Sequence, residues 1–239
     1  MIRAMNPTAT LSRALRQWIK HVLLRPWMFC TGPSRPARVA LTFDDGPHPV
    51  HTLEVLRELD RFGAKASFFC VGDRLREHPR IAAEMRQRGH EIANHSMTHA
   101  EFATIGSAEI TEEFDRAFAL AAADGTPIMA QHLVRPPKGI INAAVLHYCS
   151  KRGVRIAYWN RDPQDYDTDS AEVCMAEFIA RPLKAGDIVL LHDKFPHSAA
   201  LVRQLLQSVQ ALGLEAVSVS TLVPFPTAVS QQRALGDRP

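Results

Sequence analysis

Two short motifs, Thr42-Phe43-Asp44-Asp45-Gly46-Pro47 and His95-Ser96-Met97-Thr98-His99, lie about fifty residues apart and hold an Asp-His-His set with one spare carboxylate. A catalytic zinc takes three protein ligands and leaves a fourth position for water. Asp45, His95 and His99 can fill the three, and Asp44 beside them can serve as a base for that water. The chemistry indicated is metal-assisted hydrolysis. Each motif also has a plainer reading. Asp-Asp-Gly-Pro after an apolar run is ordinary turn chemistry, and two histidines four apart can share a helical face with no metal.

What separates these readings is the set of elements that must carry the motifs. From residue 38 onward, strand-like and helix-like segments alternate. Strands are expected at 39–43, 66–71, 91–94, 132–135, 154–159, 187–192 and 215–219. Helices are expected at 51–62, 80–88, 107–123, 142–152, 169–181 and 199–212, with Ser107 as an N-cap and Gly63, Gly89, Gly153 and Gly213 as stops. Seven strands alternating with helices imply a parallel sheet, closed as a barrel or open, in one domain. On that frame Asp44 and Asp45 follow the first strand and His95 and His99 the third, while Arg135 ends the fourth. Asp162 and Asp165 follow the fifth, and His192 ends the sixth. Parallel α/β folds build their sites at these carboxyl ends, and scattered solvated charges would not sort this way.

Composition narrows the setting. The chain has 239 residues, 46% hydrophobic and 22% charged, enough for a sizeable core. No run approaches the length of a spanning helix. The cysteines, Cys30, Cys70, Cys149 and Cys174, are scattered and suggest no disulfide framework, so a reducing compartment is the simpler expectation. The net charge of +3 is uneven: residues 1–38 carry seven cations and no acid, which leaves the remainder at a formal −4. The main domain therefore lacks a nucleic-acid footprint.

Residues 11–24 read as a basic amphipathic helix, with Leu11, Leu15, Trp18 and Val22 on one stripe. Lys20 and Arg25 interrupt any secretory core, so a cytoplasmic location without a signal peptide is expected. Such a helix can lie on an anionic membrane as a peripheral contact or pack on the domain, and both readings stand. Its acid-free, Arg-rich start also has the look of an organellar transit peptide, which nothing else supports.

At this point the chain resembles the polysaccharide deacetylases, carbohydrate esterases with a NodB-homology domain. Five motifs match in order over about residues 38–223: Thr42-Phe43-Asp44-Asp45, His95 to His99, Arg135-Pro136-Pro137-Lys138-Gly139, Trp159 with Asp162, Asp165 and Tyr166, and Leu190-Leu191-His192. The resemblance implies a distorted parallel (β/α)7 barrel of NodB-homology type in a single domain. The expected division is a basic helical extension at 1–37, the catalytic domain at 38–223 and a loose tail at 224–239.

The reaction implied is hydrolysis of an N-acetyl group on an N-acetylglucosamine-type sugar in a glycan or lipid-linked precursor, releasing acetate. By resemblance, Asp45, His95 and His99 hold one divalent metal, zinc first, with cobalt, nickel or manganese also compatible. Asp44 is the general base and His192 the acid that protonates the departing amine. Arg135 orients Asp44, and Asp165 orients His192. The Lys138 backbone N–H helps hold the oxyanion, Leu190 and Tyr166 line the acetyl pocket, and Trp159 is a sugar platform or core residue. Arg135 and Asp165 could instead pair structurally with each other, and Asp162 reads as a turn residue.

Two positions depart from the family pattern: Lys138 stands where an aromatic residue is usual, and Tyr166 where Trp is usual. Neither supplies a ligand or the base, so both read as changes in substrate preference. Lys138 at a pocket rim would suit a negatively charged sugar at a membrane face; otherwise it simply points into water. His48, His51, His90, His132, His147 and His197 have no motif support and are expected as surface or loop residues. Readings from other classes are a non-catalytic sugar-binding protein on the same fold, a sugar deformylase, and a metal phosphoesterase. The last is disfavoured because phosphoryl chemistry often uses two metals.

Overall fold

The computed structural model describes residues 27–224 except 121, 123 and 124. In chain order the strands are β1 (Met28–Phe29), β2 (Arg38–Asp44), β3 (Ser67–Cys70), β4 (Glu91–Asn94), β5 (Leu133–Val134), β6 (Arg155–Ala157), β7 (Ile188–His192) and β8 (Glu215–Val217). The helices are α1 (His51–Arg61), α2 (Gly72–Glu77), α3 (Pro79–Gln87), α4 (Ser107–Phe118), α5 (Ala143–Arg152), α6 (Ala171–Ala180), α7 (Ser198–Ala211) and α8 (Val219–Leu222). All seven expected strands are present, as β2 to β8. β1, α2 and α8 were not expected.

Every strand pairing is parallel, in the order β1-β6-β5-β4-β3-β2-β7. β8 pairs with residues 38–40 of β2 and β3 with residues 42–44, so these two share one edge of the long central strand. The far ends of the sheet then approach each other. Arg161, just past β6, bridges Val189 of β7, and Thr31, just past β1, bridges Asp187. The result is the distorted barrel, with β1 joining it from N-terminal to the expected start at 38.

Side chains alternate across a strand with period two, and the core follows that period. Phe29, Ala40, Phe69, Ala93, Leu133, Ala157, Ile188 and Val217, one from each strand, form a single inner cluster. The alternate residues Val39, Leu41, Phe43, Phe68, Val189 and Leu191 face outward onto a second cluster. α1 and α7 cover that face with apolar stripes, Val55, Leu56 and Leu59 on α1 and Leu201, Val202, Leu205, Leu206 and Val209 on α7. α4 and α5 cover the other side through Phe114, Val145, Tyr148 and Cys149. Counting by twos from Ala40, the inner face of β2 reads Ala40, Thr42, Asp44. From Ile188, that of β7 reads Ile188, Leu190, His192. The fold thus aims a carboxylate and an imidazole into one mouth of the barrel.

Some details differ from expectation. The helix from 107 ends at Phe118 rather than 123, and its N-cap is Gly106, not Ser107. The Glu109 carboxylate reaches back to accept the Gly106 N–H at 2.8 Å, which performs the capping. Gly153 does close α5, in the left-handed conformation (φ 67°). His90 and His197 lie in loops but are buried. Burial pushes the His90 pKa down to about 4. All four cysteines are buried. Among the described residues no helix is long and apolar enough to cross a membrane. The expected helix over 11–24 lies outside the described residues, as does the tail from 225 onward.

Candidate active site

Asp45, directly after β2, directs its Oδ1 at the Nε2 atoms of His95 and His99, 3.3 and 3.1 Å away. One ligand atom from each of the three residues falls within 4.8 Å of the others. The ring Nδ1 of His95 donates to the Arg135 carbonyl oxygen at 2.8 Å. A carbonyl can only accept, so Nδ1 carries a proton and the Nε2 lone pair of the neutral ring is left facing Asp45. An imidazole lone pair and a carboxylate oxygen turned toward one point suit a cation held between them. The donor set of two imidazole nitrogens and one carboxylate fits a divalent transition metal. Burial would raise the Asp45 pKa, but the facing imidazoles of His95 and His99 and the Lys194 ammonium outweigh it, holding the carboxyl far below its usual range.

Asp44 lies beside this set in a different environment. Its Oδ1 accepts from Arg135 Nη1 at 2.6 Å, and its Oδ2 lies 3.8 Å from His95 Nε2. Arg135 is fully buried and reaches across the barrel interior. It also donates to Thr42 Oγ1 and to the Ala157 carbonyl, both at 2.8 Å, with its guanidinium 4.0 Å from the Phe69 ring centroid. A buried guanidinium is tolerated only when its donors are matched. Here the matching fixes one oxygen of Asp44 and leaves the other on the side of His95.

His192 ends β7 at the same mouth. Its Nδ1 donates to Asp165 Oδ1 at 2.8 Å and its backbone N–H to Asp165 Oδ2 at 2.7 Å. Its Nε2 lies 4.0 Å from Asp45 Oδ2. Burial alone would lower the His192 pKa; the hydrogen bond and charge of Asp165, with the charges of Asp44 and Asp45, raise it above the ordinary 6.5. Arg135 and Asp165 therefore do not pair with each other: each serves a different candidate catalytic group.

The loops that present these side chains are strained. Asp45, Ser96, His99, Lys138 and Gln164 are the non-glycine residues with positive φ among those described, and all lie in loops after β2, β4, β5 and β6. Such conformations cost about 1–3 kcal/mol each and concentrate at functional sites.

A match to the polysaccharide deacetylase profile covers residues 31–157. The peptidoglycan-N-acetylglucosamine deacetylase of Bacillus cereus is 32% identical over 203 residues, 81% of this chain and 91% of that protein. A chitooligosaccharide deacetylase of Sinorhizobium fredii is 34% identical over 169 residues, 70% of this chain and 76% of that protein. The structure of the peptidoglycan deacetylase PdaC from Bacillus subtilis superposes with a TM-score of 0.71 at 26% identity, covering 86% of this chain and 96% of that one.

The chain belongs to the polysaccharide deacetylase family.

Within this deacetylase fold the remaining expected positions fall as follows. Leu190 is buried on the inner face of β7, two residues before His192. Tyr166 is 44% exposed; its hydroxyl donates to Asp162 at 3.1 Å and its ring meets His192 edge-on at 5.5 Å. Asp162 also accepts the Gln164 N–H at 2.9 Å, the turn role expected of it. Trp159 stacks on Tyr158 at 4.0 Å and packs against the inner cluster. Lys138 sits in a 3-10 turn, Pro137–Gly139, but its ammonium pairs with Glu101. The cation expected at the rim thus has a carboxylate partner.

Two contributors to the deacetylase site went unrecognised in the sequence. Glu113 on α4 accepts the N–H groups of Met97 and Thr98 at 3.1 and 2.8 Å and the Thr98 hydroxyl at 3.0 Å, tying down the loop between the two histidines. The signal was there: Glu113 shares the buried stripe of Ile110, Phe114 and Ala117, and a carboxylate on such a stripe needs partners. The other is Lys194, whose Nζ lies 2.5 Å from Asp45 Oδ2. It stands two residues past His192, where a continued strand period would also turn it inward.

Proposed function

We propose that the protein is a metal-dependent N-deacetylase of N-acetylglucosamine-type sugars in a glycan or glycolipid precursor, releasing acetate. The observation that carries this reading is the facing of Asp45 Oδ1 and the Nε2 atoms of His95 and His99, with Asp44 and His192 each bordering one member of the set. A divalent metal on Asp45, His95 and His99, zinc first, would supply Lewis-acid activation of water and of the acyl oxygen.

The chain's own residues divide the proton transfers. Asp44, with one oxygen held by Arg135 and the other open, takes a proton from the attacking water. His192, kept protonated by Asp165, gives its Nε2 proton to the sugar nitrogen as the carbon–nitrogen bond breaks. Amines are poor leaving groups, so this second transfer is required. The Lys138 backbone N–H, in the turn after Arg135, donates to the developing oxyanion. Leu190 and Tyr166 form an apolar wall for the acetyl methyl. Water plus amide gives acetate plus free amine, with no other reactant.

The relatives named for peptidoglycan and chitooligosaccharides support this substrate class. The basic composition of residues 1–37 supports, as part of the same proposal, a cytoplasmic enzyme with a peripheral membrane contact through residues 11–24 and access to lipid-linked sugars. The test is acetate release from N-acetylglucosamine oligomers before and after metal removal. The reading requires release that stops on chelation and returns when zinc or another divalent ion is restored. Release unaffected by complete metal removal contradicts it.

A further inference from the structure

A cavity of about 300 Å³ opens beside Lys194 and Arg74. Its polar lining is Lys194, Arg74, His48 and His78, with Glu77 as the one carboxylate among the described residues, and Phe195 supplies an apolar wall. Two of these groups are tied to Asp45 itself. Lys194 Nζ is 2.5 Å from Asp45 Oδ2, and Arg74 Nη1 donates to the Asp45 carbonyl oxygen. The carboxylate of Asp45 is therefore shared, Oδ1 toward the two histidines and Oδ2 toward Lys194.

The lining is rich in donors. Lysine and arginine side chains donate and cannot accept. His48 accepts the N–H groups of Val50 and His51 on Nδ1, at 3.3 and 3.2 Å, so its neutral ring carries the proton on Nε2 and donates there as well. Lys194 and Arg74 are only partly buried, so their charges are accessible from the cavity. Such a set recognises an oxyanion, because carboxylate and phosphate oxygens accept several charge-assisted bonds at once.

We propose that this cavity is an oxyanion subsite, which receives the carboxylate or phosphate of a sugar unit linked to the one being deacetylated. The preferred substrates are then acidic N-acetylated glycans. The inference rests on the deacetylase reading above. It places the substrate anion against Lys194 and Arg74 while the acetyl group lies at Asp44 and His192. Asp45 Oδ2, which touches Lys194, is 4.0 Å from His192 Nε2, so the subsite and the reacting bond are within one sugar unit of each other.

The experiment compares kcat/KM for acetate release on three oligomers of equal length: neutral N-acetylglucosamine, one carrying carboxylates on alternate sugars, and one carrying phosphate esters. Each is measured at low and high salt, with the wild type, Arg74→Gln and Lys194→Gln. The wild type should favour an anionic oligomer by about tenfold or more, the scale of one hydrogen bond to a charged group. That ratio should shrink at high salt and fall toward one in both variants. Preference in the carboxylate or the phosphate arm supports the subsite and identifies its ligand. A wild type indifferent to charge, or variants that keep the full preference, overturns the subsite while leaving the deacetylase reading intact. The salt comparison on wild type decides even if a variant fails to fold. No acetate from any oligomer by the metal-loaded protein overturns both readings.

Discussion

Both oxygens of Asp165 are committed to His192, Oδ1 to the ring Nδ1 at 2.8 Å and Oδ2 to the backbone N–H at 2.7 Å. One carboxylate thus fixes the ring's position, its tautomer and its charge. Nδ1 holds a proton against Asp165, and only Nε2 is left to deliver one toward Asp45 and its neighbours.

The sign of the pH dependence follows. A raised His192 pKa keeps the imidazolium present to higher pH, so the alkaline limb of kcat/KM should lie above the ordinary 6.5. In Asp165→Asn the main raising influence is gone and burial, which lowers the pKa, dominates. The alkaline limb should move to lower pH and the maximal rate should fall. A pH profile of amide hydrolysis measures this, and an unmoved limb would remove Asp165 from the role given to it.

His192→Ala should slow amide cleavage by roughly 10²–10⁴-fold, the usual contribution of a general acid. An activated acetate ester, whose leaving group needs no proton, should lose far less. Equal losses on amide and ester would show that His192 is not the acid.

Glu113→Ala strips acceptors from two backbone N–H groups and one hydroxyl in the loop between His95 and His99. Leaving such groups unmet costs about 1–3 kcal/mol. Loss of the support behind a ligand typically weakens metal affinity by about 10–100-fold. Denaturant unfolding and metal titration of the same variant measure both. Wild-type values in each would show that the loop holds itself.

The strands were legible because parallel, two-sided strands read as apolar runs, as in Val39-Ala40-Leu41 and Ile188-Val189-Leu190-Leu191. The motif residues were legible because they sit at the ends of those runs. β1 was not, since two residues carry no period; its place comes from pairing with distant β6. α2 was hidden in the same way, six residues opening on Gly72. The partner of Lys138 was not legible because Glu101, 37 residues away, is brought to it only by the fold. For Lys194 the strand period past His192 gives only a direction; its partner, a carboxylate 149 residues earlier, is supplied by the fold.

The central claim is that Asp44 is the base beside a metal-binding set it does not belong to. Its Oδ1 is taken by Arg135, while Asp45, His95 and His99 form the ligand group without it. The most direct measurement is acetate release from an N-acetylglucosamine oligomer by Asp44→Asn, with bound metal quantified on the same sample. The account predicts metal content equal to wild type and turnover lower by roughly 10²–10⁴-fold. Near-normal acetate release by metal-replete Asp44→Asn would contradict it.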